Sequence, residues 1–164
     1  ETDSAGTATS QPTIAMGSPT EAVHTLFNLL RAERAARGVD DKAAAKHIEK
    51  QLVELAAGDE ILKQYQKKLG GKVEKPDEVL HTYVRGWSAM LGYYLDGAHP
   101  EQMQVLGDAE VSQAARARVP ADSPRGRVEI EISCLKTMSG NWHIERVSFA
   151  KPAVVLQPTS APGD

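Results

Sequence analysis

The residues best equipped for chemistry are five histidines, His24, His47, His81, His99 and His143, a lone Cys134, and the polar-tipped Tyr83, Tyr94 and Gln113. A metal site carried by one helix wants a second histidine or a carboxylate one turn on. None of the five histidines has either four residues further along. No metal ligand set and no cofactor are therefore expected. One cysteine allows neither an intrachain disulfide nor a cysteine-based zinc site. The nucleophile-elbow pattern Gly-x-Ser-x-Gly, the phosphate loop Gly-x-x-x-x-Gly-Lys, the dinucleotide pattern Gly-x-Gly-x-x-Gly and His-Glu-x-x-His are all missing from the sequence. Tyrosine and glutamine are poor bases near neutral pH, so no catalytic residue is assigned and a non-enzyme is the favoured reading.

Composition narrows the classes further. With 164 residues, 41% hydrophobic and 25% charged content, the chain suits one domain with a single core. A net charge of −3 lacks the basic excess of a nucleic-acid binder. No apolar run approaches the roughly 20 residues of a membrane-spanning helix. Residues 1–17 are rich in Ser, Thr and other small residues and read as a tail, 18–150 as the folded domain, and 151–164, with three prolines, as a second tail. The polar start suits either a recombinant boundary or the spacer left after removal of a signal peptide, with or without a lipid anchor, and hence an exported protein of the periplasm or cell surface.

The elements that must position these residues fall into two halves. Ser18-Pro19-Thr20-Glu21 opens a helix by mutual capping, with Val23, Leu26, Phe27 and Leu30 on one face and Gly38 as its left-handed stop. A second helix is expected over 41–57, ended by Gly58, and a third over 59–69 before Gly70-Gly71. The fourth, over 76–96, carries Leu80, Tyr83, Val84, Trp87, Leu91, Tyr94 and Leu95 on one broad face. Gly86 and Gly92 inside it each cost about 1 kcal/mol relative to alanine. Close approach of a neighbouring element would offset that cost, and so would room for a ligand against Trp87. His81 and Asp96 project from its flanks or back as solvated side chains.

After the helices the period changes to two. Over 109–119, Val111, Gln113, Ala115, Ala117 and Val119 share the inward face; 120–126 reads as a loop; Val128, Ile130, Ile132 and Cys134 line the next strand. Folding about that loop sets Arg116 opposite Glu129. A hairpin through Thr137–Asn141 leads to Trp142 and Ile144, whose face is regained by Val147 and Phe149 only if a β-bulge lies near Glu145-Arg146. Helices followed by strands, with no alternation, predict an α+β fold in which N-terminal helices pack on a curved antiparallel sheet.

The helix opening at Ser18-Pro19-Thr20-Glu21-Ala22-Val23 and the closing strand Gly140-Asn141-Trp142-His143-Ile144-Glu145-Arg146-Val147 resemble the nuclear transport factor 2-like (cystatin-like α+β) superfamily, especially its small exported proteins of unknown function. The resemblance implies a bent sheet cradling helices around a conical cavity. Some members are isomerases, dehydratases or hydrolases that use an Asp, His or Tyr in that cavity, and none of those residues carries over onto this sequence. The expected function is therefore a non-catalytic ligand-binding or protein-interaction domain of the cell envelope. Its cavity would be lined by Tyr83, Trp87, Tyr94 and Gln113 and would take a small apolar ligand. The alternatives are a small isomerase or hydrolase of the same fold, or a structural domain that dimerises through the outer sheet face.

Overall fold

The computed structural model describes residues 14–107 and 112–150. Among these residues four helices, α1 (Pro19–Gly38), α2 (Lys42–Leu55), α3 (Gly58–Leu69) and α4 (Pro76–Leu91), precede four strands, β1 (Gln104–Leu106), β2 (Ala114–Ser123), β3 (Gly126–Lys136) and β4 (Trp142–Phe149). The sheet is an antiparallel meander in the order β1-β2-β3-β4, and the helices pack on one of its faces, as the segregation of periods predicts. No helix among the described residues is long and apolar enough to cross a membrane.

Helix α1 starts as expected. Ser18 Oγ accepts the Glu21 N–H at 3.1 Å, and Glu21 reaches back one residue further than a standard capping box, to the Gly17 N–H at 2.8 Å. Its stripe Val23, Leu26, Phe27 and Leu30 is buried against Ala117, Val119, Ile130, Ile132 and Ile144 in one core. Two helix ends differ from expectation. Gly38 stays helical, and the left-handed residue is Asp40, at φ 58°, which leads into Asp41 as the cap of α2; aspartate tolerates that region better than most residues. Gly58 does not end α2 but opens α3, because Ala56 and Ala57 are drawn out straight alongside β4, where the Ala57 N–H bonds Ile144 O at 2.7 Å. Helix α4 stops at Leu91, and Gly92–Tyr94 form a turn of 3-10 helix.

Neither Gly86 nor Gly92 lies close to a neighbour, since a Cβ built on either meets nothing within 4 Å. Close approach therefore does not offset their cost. It occurs instead at Gly97, in the connection after α4, whose Cβ would fall 1.9 Å from Asp122 O. There Gly97 O accepts the Asp122 N–H at 2.8 Å, Ala98 bridges Ala121, and His99 N–H bonds Pro120 O at 2.9 Å. The segment thus prolongs the ladder where the short β1 has run out.

That prolongation explains the largest departure from the expected sheet. Pro120 lies inside β2, opposite Glu129, rather than in a loop over 120–126, and the turn is only Pro124-Arg125. Its missing N–H faces His99 O on the side that the Gly97–His99 segment covers, and that carbonyl accepts the Gln102 N–H at 2.9 Å instead, so no partner is left unsatisfied. The longer hairpin moves the register, and Arg116 opposes Ser133, not Glu129. Its guanidinium still finds a carboxylate, Glu131, at 3.0 Å. Residues 109–111 of the expected strand lie outside the described residues.

The bulge is where the phase change requires it. Ser133 pairs with Arg146 and Cys134 with Ile144, leaving Glu145 unpaired, so that Trp142, Ile144 and Val147 all face the core, whereas Phe149, expected with them, is exposed beside Tyr94. The outer edge of β4 is occupied by three separate parts of the chain: Met16 O accepts the Trp142 N–H at 2.7 Å, the Ala57 N–H bonds Ile144 O, and Tyr83 Oη–H donates to Glu145 O at 2.8 Å. Residues 14–17, expected to belong to the tail, are thus partly docked, and Thr25 fixes Ala15 through both its N–H and its carbonyl.

Candidate functional site

Of the residues expected to line an internal cavity, Tyr83 and Trp87 are in contact, and Tyr94 and Gln113 have other neighbours. Trp87 is part of the core, with Tyr83 edge-on to it at 5.8 Å between ring centres. Tyr94 sits beyond the end of α4 against Phe149 and Tyr93. Gln113 is exposed just ahead of β2, at an end of the sheet, where its carbonyl accepts the Lys136 N–H. Its parity matches the inward residues, but it lies outside the stretch that the helices cover.

Polar groups gather instead on the helical side, where the C-terminal turn of α1 meets α2 and α4. Two glutamates are buried there, Glu33 on α1 at 2% exposure and Glu49 on α2 at 6%. Burying a carboxylate is costly unless hydrogen bonds and opposite charge replace its water, and here both do. Arg85 grips Glu49 with two parallel bonds, Nε to Oε1 at 2.8 Å and Nη2 to Oε2 at 3.0 Å. His81 Nδ1 lies 2.7 Å from Oε2 of the same carboxylate. Glu33 accepts from Ser88 Oγ–H and from Arg37 Nη2 at 3.3 Å, and Arg37 Nη2 also stands 4.0 Å from Glu49 Oε1. Arg37 therefore bridges the two carboxylates.

Helical periodicity builds this arrangement. Glu33 and Arg37 are one turn apart on α1; His81, Arg85 and Ser88 follow at i, i+4 and i+7 on α4, beside the apolar stripe Leu80, Val84 and Trp87. Arg37 and Arg85 keep their outer parts in water, and the network forms the floor of an open cleft of about 650 Å³. His81, expected to be solvated, is half-buried and anchored, whereas Asp96 is exposed and paired with Arg34, in keeping with its expected position. Reading from the sequence missed Glu33 and Glu49, although each carries a legible signal. Glu33 continues the buried stripe of Leu26, Leu29 and Leu30, and Glu49 lies between Ala45 and Leu52 on the inner side of α2.

The electrostatics follow from the geometry. Burial pushes the Glu49 carboxyl upward, but hydrogen bonds and charge from Arg85 and His81 outweigh it and hold the group below its ordinary value. A carboxyl depressed on folding stabilises the fold at pH above its unfolded value of about 4.3, and that stabilisation is lost as pH falls through the lower folded value. Stability should therefore fall on acidification below about pH 5. Glu49→Gln should cost about 2 kcal/mol at pH 7 and flatten that acid limb. Urea denaturation from pH 7 to pH 3 measures both effects, and parallel curves for parent and variant would show that Glu49 is not coupled to folding. The only cysteine, Cys134, is buried in β3, and burial pushes its thiol up to about 12.

No protein-family model matches this chain, and no curated protein matches it. Among the described residues no cluster of His, Cys, Asp or Glu has the makings of a metal site.

Proposed function

We propose that this chain is a non-catalytic binding domain of the nuclear transport factor 2-like kind, whose recognition site is the cleft between α1, α2 and α4. The supporting observation is that a prearranged network of Glu33, Glu49, Arg37, Arg85, His81 and Ser88 underlies an open cleft of about 650 Å³. That volume is in the range of small-molecule sites. A floor held by bidentate and bridging bonds is rigid, so it loses little freedom when a ligand is bound. The superfamily assignment draws support from helices preceding a meander sheet and from the bulge at Glu145 that bends β4.

Two features favour binding over catalysis. Glu49 is fully engaged and acidified, the opposite of what a general base needs. Cys134 is protonated at neutral pH and enclosed by the core, so it is no nucleophile. The alternative of dimerisation through the outer sheet face has little apolar surface to rest on, because Arg116, Arg118, Glu129, Glu131 and Arg146 stand there.

Amide chemical-shift mapping with a mixed library of charged and neutral fragments tests this reading. Perturbations should gather on Arg37, Ala45, Glu49, His81 and Arg85. Perturbations confined to the surroundings of Trp87 and Tyr94, or none at any residue, would overturn it.

A further inference from the structure

We infer that the cleft is selective for a small molecule bearing two or more phosphate or carboxylate charges; this rests on the cleft being the recognition site. The inference comes from α2, whose cleft-facing residues Lys42, Ala45, Lys46, Glu49 and Lys50 follow at i, i+3, i+4, i+7 and i+8, one continuous helical stripe. Three of the five are lysines, all exposed. Among the described residues none of them has a carboxylate within ion-pair distance, and neither do Lys63, Lys67, Lys68, Lys72 and Lys136, whereas Lys75 at the cap of α4 and the arginines Arg34, Arg37, Arg85, Arg116, Arg118 and Arg127 do.

Of the acids that line the cleft, the buried one is engaged by opposite charge. Glu49 is gripped by Arg85 and His81, and Asp41 caps α2 by accepting the Ala44 N–H at 3.0 Å. Asp40 and Asp41, on the connection, remain to oppose the lysines, so the lining holds five Lys and Arg side chains against three carboxylates. The cleft thus carries a surplus of positive charge on a chain whose net charge is −3. Arg37 and Arg85 add planar donors at the floor, and Arg85 is fixed in place by its two bonds to Glu49. A ligand with anions at two points would meet the lysine stripe along one wall and the guanidinium edges beneath it. A single monovalent anion would lose most of its attraction to screening in physiological salt.

The experiment is titration of the intact chain with pyrophosphate, citrate, chloride and neutral glycerol at constant ionic strength, followed by amide shifts and by melting temperature. Pyrophosphate or citrate should bind saturably and shift Lys42, Lys46 and Lys50 amides, while chloride and glycerol should not. The double variant Lys42→Glu/Lys46→Glu, whose exposed positions leave the fold intact, should bind about tenfold more weakly or worse, each reversal removing an attraction and adding a repulsion. Lys63→Glu/Lys67→Glu, on the far helix α3, should bind like the parent. Sedimentation with vesicles of phosphatidic acid in phosphatidylcholine identifies the source: loss of protein to the pellet, abolished by the double variant, places the anion on a lipid headgroup, and none places it on a free molecule.

Equal weakening by the α3 variant would reveal general charge attraction and overturn the inference. So would binding of an oligo-glutamate peptide without binding of pyrophosphate or citrate, which would assign the lysines to a protein partner. If neutral fragments perturb the cleft and the polyanions do not, the selectivity fails while the site stands; if nothing perturbs the cleft, both fail.

Discussion

Truncating Trp142 to alanine should lower unfolding stability by about 3–5 kcal/mol, the cost of removing a large aromatic side chain from a core that collapses only partly around the hole. Trp142 is 3% exposed and begins β4, with Ile144 and Val147 on the same inner face. Its N–H is the point at which Met16 joins the sheet edge, so backbone displacement on truncation would also disturb that attachment. A urea titration would show the loss as a lower midpoint with a similar slope. Trp142→Phe should recover a substantial part. A midpoint equal to the parent's would mean that the indole does not fill the core.

Gly97→Ala should destabilise by about 3 kcal/mol, the upper part of the range for overpacking a close contact. The added methyl carbon would lie 1.9 Å from Asp122 O, and the obstacle is backbone, which cannot rotate away as a side chain does. Relief requires pulling the segment from β2, which breaks the Asp122 N–H to Gly97 O bond and strains the His99 to Pro120 bond beside it. Gly86→Ala is the matched control. Its methyl meets nothing within 4 Å, and in an exposed helix alanine should be the better residue by up to about 1 kcal/mol. Melting temperatures of the two variants should therefore move in opposite directions. A Gly97→Ala protein that melts with the parent would show that the connection does not press against β2.

Much of this fold is legible in the residues because local rules and the tertiary structure agree. The stripes of α1 and α4 repeat often enough to mark their buried faces. The parity change between Ile144 and Val147 leaves a bulge as the way to keep both inside, and it is found at Glu145. The failures share a physical cause. Pro120 discourages a strand reading, yet its missing N–H is harmless because the facing His99 carbonyl is taken by the Gln102 N–H, a fact about a neighbour that local sequence does not contain. Gly58 looks like a helix stop, but the pull of β4 on Ala56 and Ala57 decides where α2 ends. The polar site was the least legible part. Glu33, Glu49 and Arg85 are each unremarkable in their own helices, and their significance comes from partners on three different helices, between 32 and 55 residues apart.

The occupied edge of β4 bears on how this protein behaves in a crowded solution. Open strand edges recruit strands from other molecules and so seed aggregation and strand exchange. Here one margin of the sheet is the three-residue β1, too short to template much pairing, and part of the other is closed by Met16, Ala57 and Tyr83, drawn from three parts of the chain. Each closure uses a different chemistry: a backbone acceptor, a backbone donor and a phenolic hydroxyl. Losing any one leaves the other two in place, so the edge is guarded with redundancy, and damage to a single segment, such as proteolysis before Gly17, uncovers only its own share of the edge.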